Sequence, residues 1–346
     1  MDLWFDAALM AVGAMLIDRY VGDVSNRYHP LRWMGNILDA LDRRVSDRES
    51  RWCILYGLLS YLAVLLLFGA AALAVCVLAK YGLSGVLGFE VFGRTGDLGE
   101  VLWVALSALF LKVTYSLFLF RKLCRPIEAD LLRGDLDAAA DKTQMMVNRR
   151  TRGMDREHIA SSCCETISEN LVDSVLSPLL YFGLLGLPGA LIFRCANLMD
   201  AMWGRRDERY ERLGKFPARL DDALGFLPSR LSPAFVWLAA RLSRMESGGK
   251  AMAAARREHA KTPSPNSGWP MAASAAAMGV SFEKAGVYVM GEGPLPSIGD
   301  IAVCYRLIER ASLLFLVIAV VPLAMLFGIH VQVAVEEFFG GLIGVC

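Results

Sequence analysis

Charge is scarce in this 346-residue chain: Asp, Glu, Lys and Arg make up 21% of it, against 55% hydrophobic residues. Basic residues exceed acidic ones by only one, which excludes a global basic field suited to nucleic acid. The eight cysteines show no C-x-x-C spacing, and Cys163 and Cys164 are adjacent. That pattern is neither a zinc site nor a disulfide framework; it reads as small buried hydrophobes. No G-x-x-x-x-G-K-[ST] and no G-x-G-x-x-G occurs, so no standard loop announces a nucleotide. The start lacks a basic n-region, since Asp2 and Asp6 come first, and a cleaved signal peptide is not expected. Internal repeats and low-complexity tracts are missing too.

What is present is a set of long apolar runs. Trp52 to Ala79 holds no charge over 28 residues. At about 1.5 Å per residue it exceeds a hydrocarbon core of about 30 Å. Val101 to Phe120 carries the lone charge Lys112, Ala311 to Val335 contains Pro322, and Leu3 to Ile17 is shorter. These predict an all-α, polytopic integral membrane protein, one domain over 1–346, with four spans near 3–17, 52–79, 101–120 and 311–335. Seven Lys/Arg lie in 18–51 and only Lys80 and Arg94 in 80–100. The positive-inside rule then places 18–51 and 121–310 on the cytoplasmic side as a polar region with helical segments. Val175 to Phe193 has basic residues on both flanks and is broken by Pro178, Gly183, Gly186, Pro188 and Gly189. It reads as a broken, re-entrant helical hairpin, whose irregular backbone must be buried in protein or line a wet cavity.

Against this background Glu165, Glu169 and Asp173 stand four apart, on one face of a helix that runs into the apolar hairpin. At an effective dielectric of about 20 and roughly 6 Å, each neighbouring pair would repel by about 3 kcal/mol. Such a stripe is solvated, partly protonated, or built to hold a cation. With Asn170 it offers hard oxygens suited to Mg²⁺. A second set follows the first span: Asp23, His29 and Arg32. A third leaves the hairpin: Asn197, Asp200, Arg205, Arg206 and Arg209, then Asp221 and Asp222. Planar guanidinium groups bind phosphate bidentately, so the arginines read either as a phosphate clamp or as a positive-inside flank with helical salt bridges. A fourth is S-P-N-S-G-W-P-M-A at 264–272, where Asn266 is the strong polar group.

These motifs, in this order, resemble the CobD/CbiB family of cobalamin biosynthesis. They comprise Asp18 with Gly22-Asp23, H-P-L-R-W-M-G at 29–35, E-T-I-S-E-N-L-V-D-S-V-L-S-P at 165–178, N-L-M-D-A-M-W-G at 197–204, R-D-E-R-Y at 206–210, P-A-R-L-D-D at 217–222 and S-P-N-S-G-W-P-M-A. Ser174 and Arg205 depart from the family pattern, where glycine and an aromatic are usual.

The resemblance implies a multi-pass enzyme of the inner, cytoplasmic membrane with its active site on the cytoplasmic side. It would be an adenosylcobinamide-phosphate synthase, an amide-forming acid–amine ligase. It would join adenosylcobyric acid to (R)-1-aminopropan-2-ol phosphate, or a related amino-alcohol phosphate, with ATP and Mg²⁺ consumed as co-substrate and metal. An ionised carboxylate is a poor acyl donor and must be activated, which calls for Mg²⁺ and cations around phosphoryl oxygens. On this reading Glu165, Glu169 and Asp173 hold Mg²⁺ or the substrate amine, and Arg206 and Arg209 take phosphate. Arg32, Asn170, Asn197, Asp200, Asp221, Asp222 and Asn266 bind or orient substrate, and Asp23 or His29 is the general base. Implied partners are the corrinoid, the amino-alcohol phosphate, the lipid bilayer, and either other membrane enzymes of late cobalamin assembly or a second copy of the chain; nucleic acid is not among them. Two rivals remain: a non-catalytic sensor like the AmpE-type relatives, and a transporter or channel with an acidic ion path.

Overall fold

Helices form nearly every element of the computed structural model, which describes residues 3–23, 25, 27–45, 50–91, 94–205 and 207–345. The strands among them are two short antiparallel pairs, Phe89–Val91 with Arg94–Gly96 and Phe282–Lys284 with Tyr288–Met290. A helix satisfies its own backbone, which suits a chain this apolar to lipid. Four helical runs are long and apolar enough to cross a membrane: Trp52–Gly82, Arg156–Trp203, Lys215–Leu242 and Ile298–Ile343. The bent pair Leu98–Thr114 and Leu119–Arg133 raises this to five. The chain is an all-α, polytopic membrane protein. Internal contacts divide it into two compact units, where the sequence reads as one domain.

The first unit comprises residues 1–116, 178–224 and 316–346. Leu3–Tyr20 packs on Leu98–Thr114, which packs in turn on Trp52–Gly82. The contact face of the first helix is small, with Ala7, Ala11 and Ala14 fully buried. Between helices in lipid, such close backbone approach replaces the hydrophobic drive that water would supply.

The span expected at 101–120 ends early, at Thr114. Tyr115 is extended there, at φ −138° and ψ 164°. The Lys112 ammonium donates to the Tyr115 carbonyl at 3.3 Å and so holds the break.

The expected hairpin is present. Gly186 adopts φ 67° and ψ −159°, outside any helix. Beyond it the chain doubles back, so that the rings of Tyr181 and Phe193 stack 5.9 Å apart. Twelve residues of straight helix would separate them by about 18 Å. Pro188 sits in the first turn of the returning arm, where its missing N–H costs nothing. The Leu187 N–H, orphaned by the turn, donates to Gln332 Oε1 at 3.0 Å. The final apolar run, predicted over 311–335, extends over Ile298–Ile343. It widens into π turns at Leu316–Val320 and Ala324–Gly328 on either side of Pro322, whose ring cannot fit the regular ladder.

The returning arm presses Cys195, Ala196, Met199 and Trp203 against Met34 and Leu38 of helix Pro30–Asp42 and against Tyr61 and Val64. That core fixes Asn197 and Asp200 on the same arm.

The second unit comprises residues 117–177 and 225–315. Its centre is Gly268–Met278, an alanine-rich helix buried on nearly all sides, packed on Ala251–Glu258 and Arg156–Leu171. Lys215–Leu242 lies inside the region read as polar, because Pro217, Pro228, Pro233 and several charges mask its apolar face in the sequence.

Candidate functional site

Each unit holds a polar cluster that takes in residues expected at the site. In the first unit, helix Pro30–Asp42 starts at His29, whose Nδ1 caps it by accepting from the Leu31 N–H at 3.2 Å. That bond leaves the ring proton on Nε2. Burial, with the positive charges of Lys112 and Arg194, lowers the His29 pKa below its ordinary 6.5, against the opposing pull of Asp23. Lys112 is almost wholly buried and bridges Asp23 at 2.6 Å and Asp18 at 3.0 Å. Burial raises the Asp23 carboxyl, but bonds from Lys112 and from Ser116, at 2.8 Å, outweigh it and hold the group below the usual carboxylate range.

Arg194 continues this cluster onto the returning hairpin arm. It donates to Asn197 Oδ1 at 2.7 Å, and the Asn197 amide donates to Asp221 at 3.2 Å. Asp221 lies within electrostatic range of Asp200 and Asp222. Thus Asp23, His29, Asn197, Asp200, Asp221 and Asp222, separated by up to 199 positions in the chain, share one unit and one chain of charges. Lys112 and Arg194, which tie the chain together, carry no motif of their own; a lone lysine in an apolar run was the available signal.

A pH test isolates His29. Its folded pKa is depressed, so the neutral ring's contribution to stability is full above the unfolded value and is lost as pH falls below about 6.5. Asp23 loses its contribution only lower, below the ordinary 3.8. His29→Asn keeps a good capping side chain and removes the titration. Thermal unfolding of the wild type between pH 7 and 5 should show a drop that this variant lacks. An identical drop in both would exclude the histidine.

In the second unit, Arg156–Leu171 is capped by Asp155 and carries the acidic stripe. Glu165 is buried and fully engaged. Arg149 grips both its oxygens, at 2.6 and 3.2 Å, Tyr288 donates at 2.6 Å and Ser161 at 3.1 Å. Burial and the adjacent Glu165 and Glu169 carboxylates push the Tyr288 hydroxyl above its ordinary range, so it stays a donor. Glu169 is one turn on, with Lys284 and Arg149 as its nearest opposite charges, and no hydrogen bond to its carboxyl is formed among the described residues. Asn170 uses its amide within its own helix, toward Thr166 and Ser174.

The three-carboxylate metal site is not assembled. Among the described residues no three His, Cys, Asp or Glu side chains gather as a metal ion requires. The reason is geometric: eight helical residues span about 12 Å, whereas Mg²⁺ needs oxygens at about 2.0–2.1 Å. The π turn at Val172–Leu176 also takes Asp173 off the line of the other two, and Arg149 occupies Glu165. The residues as placed do not fit a resident Mg²⁺.

The other expected residues have the following places. Arg209 pairs with the buried Asp42, which Tyr210 also approaches at 3.3 Å, so its charge is already used. Arg206 lies outside the described residues. Arg32 is exposed on its helix. Asn266 accepts from Arg230 at 2.6 Å and from Ser229 at 3.2 Å. The Arg230 guanidinium lies 3.7 Å over the Phe226 ring. Gly225 leaves room for the Asn266 amide, which an added Cβ would approach to 2.7 Å. Arg230 escaped notice in the sequence; Gly225, Ser229 and Arg230 a helical turn apart were its signal.

Comparisons with known proteins agree with the order of motifs. A family model described as CobD/Cbib protein matches residues 11–315. The probable cobalamin biosynthesis protein CobD of Methanothrix thermoacetophila is 33% identical over 319 residues, covering 90% of this chain and 96% of that protein. The probable CobD of Methanothermobacter thermautotrophicus is 33% identical over 81% of this chain and 85% of its own. The cobalamin biosynthesis protein CobD of Dehalococcoides mccartyi is 30% identical over 89% and 94%. No solved structure matches the chain.

Proposed function

This chain belongs to the CobD/Cbib family of cobalamin biosynthesis proteins, and on that premise we propose that it is an amide-forming ligase. Its substrates are adenosylcobyric acid and (R)-1-aminopropan-2-ol phosphate or a close analogue, and its product is adenosylcobinamide phosphate. MgATP is the co-substrate; when bound it supplies the activation that an ionised carboxylate needs. The enzyme sits in the cytoplasmic membrane with the reaction on the cytoplasmic side.

The observation that supports this reading is the mixed charge chain of the first unit. Amide formation needs cationic groups around a carboxylate and a base beside an amine. His29 Nε2–H and the neighbouring positive charge of Arg194 suit a carboxylate, while the Asn197 amide positions Asp221. Asp221, with Asp200 and Asp222 nearby, is the group to hold the amine and take its proton before attack. Asp23 is committed to Lys112 and is a weaker base than an ordinary aspartate, so it positions the lysine rather than accepting the proton. In the second unit Glu169 is the carboxylate of the acidic stripe that forms no hydrogen bond among the described residues.

Incubating purified protein in lipid and detergent with both substrates and MgATP should give the amide, read by mass. Asp221→Asn and Glu169→Gln should each lower turnover by about 100-fold or more. No product from the intact protein would overturn the ligase reading. Full activity in a variant would remove that residue from it.

A further inference from the structure

After the hairpin's returning arm the chain loops through 204–214 and enters Lys215–Leu242. This loop and the start of the helix line an open cavity of about 590 Å³, with Arg205, Lys215 and Arg219 on its wall. None of these three side chains forms a hydrogen bond or ion pair among the described residues. Lys215 and Arg219 stand one turn apart on the same face, an arrangement that is mildly repulsive in an empty site. Glu211 and Asp222 also line the cavity and offset two of these charges, which leaves a net of one positive charge, the complement of a phosphate monoester that itself bears one ammonium. A phosphate monoester carries close to two negative charges at neutral pH. The volume is that of a whole small-molecule site rather than of one bare ion.

The same helix face changes sign further along. Asp222 lines the cavity about 10 Å beyond Lys215 along the axis. Gly204, which also lines the cavity, lies so close to the Asp200 carboxylate that a Cβ there would strike it. The cavity therefore has a cationic mouth of Arg205, Lys215 and Arg219, and it borders the carboxylates that continue to Asp221 and Asn197.

We propose that this cavity binds a small zwitterion, with its phosphate on Arg205, Lys215 and Arg219 and its ammonium toward Asp222 and Asp200. Resting on the ligase reading, it is the seat of the amino-alcohol phosphate and delivers the amine to Asp221. Arg206 and Arg209 are not required for it.

The test is equilibrium binding to the full-length protein in detergent, without ATP or corrinoid. The probes are (R)-1-aminopropan-2-ol phosphate, isopropyl phosphate, which lacks the amine, 1-aminopropan-2-ol, which lacks the phosphate, and a non-hydrolysable ATP analogue. The wild type should prefer the zwitterion to either fragment. Arg219→Gln should weaken both phosphate esters by about tenfold or more, and Arg219→Lys should restore part of the loss. Asp222→Asn should erase the preference for the amine-bearing ester while leaving isopropyl phosphate unchanged. Undiminished binding in Arg219→Gln, or a preference that survives Asp222→Asn, would overturn the proposal. So would an Arg219-dependent site that takes the ATP analogue and not the zwitterion. Binding as expected from a protein that forms no amide would keep the cavity and remove only the ligase reading.

Discussion

Arg149→Met should destabilise the protein by about 3–5 kcal/mol, with Arg149→Met/Glu165→Met recovering most of the loss. Glu165 is buried and its side chain is only 5% exposed, so its charge depends on Arg149, itself 16% exposed. The two form a bidentate pair, and Arg149 also donates to Ser162 at 2.9 Å. Removing the arginine leaves an uncompensated carboxylate facing two neutral donors, Tyr288 and Ser161. Removing both partners leaves only a change of packing. The arginine sits in a loop that is already ordered: Gln144 donates to the Val147 and Arg149 carbonyls, and Thr151 Oγ1 donates to the Ala140 carbonyl at 2.8 Å. The loss therefore measures the charge and not the folding of the loop. Denaturant unfolding in detergent, followed by tryptophan fluorescence, would check it. A single variant as stable as the wild type would mean that Glu165 does not depend on Arg149. Such a result would return it to the group of carboxylates able to serve a cation.

The Arg149–Glu165 pair joins residues that nothing local in the sequence connects. The i, i+4 spacing of the acidic stripe was legible, and so was its continuation into an apolar hairpin. Its partners were not, because Arg149 lies in a separate loop and Tyr288 is 123 positions away. A charge that looks free along the chain is often satisfied across the fold. Arg209 repeats the lesson: it reads as part of a phosphate clamp, yet it pairs with Asp42, 167 residues earlier. Lys112 reads as an anomaly in a span, and it is the cation that gathers Asp18 and Asp23 and ends the helix. Long apolar helices were legible because hydropathy over a span sums many residues, so single errors cancel. The break at 186 was legible because glycine and proline declare backbone conformation locally. Ion pairs between distant elements have no such local signature.

Gly186→Ala should be among the most damaging single changes in the chain, because two independent costs coincide there. At φ 67° and ψ −159° the backbone lies in a region that is essentially open to glycine alone, worth about 1–3 kcal/mol for any other residue. A Cβ would also fall 2.5 Å from Gln332 Cβ and 2.6 Å from the Gly328 carbonyl, and overpacking of this kind costs about 1–3 kcal/mol more. Neither neighbour can give way cheaply. Gln332 is fully buried, accepts the Leu187 N–H, and donates to Ser107 at 3.1 Å and to Glu336 at 2.9 Å. Glu336 in turn accepts from Trp103 at 2.8 Å. The hairpin tip is thus keyed into a polar network between helices Trp52–Gly82, Leu98–Thr114 and Ile329–Ile343, where Cys76 touches Ser107 as well. Gln332→Leu should cost less, about 1–3 kcal/mol, because it takes the acceptor from the Leu187 N–H and the shared donor from Ser107 and Glu336 without straining the backbone. The two variants separate strain from satisfaction. Both would lower the midpoint of thermal unfolding in detergent, Gly186→Ala by more. Equal and small effects would mean that the chain does not double back at Gly186. The returning arm would then no longer place Asn197 and Asp200 beside Asp221, and the first unit would lose its candidate site.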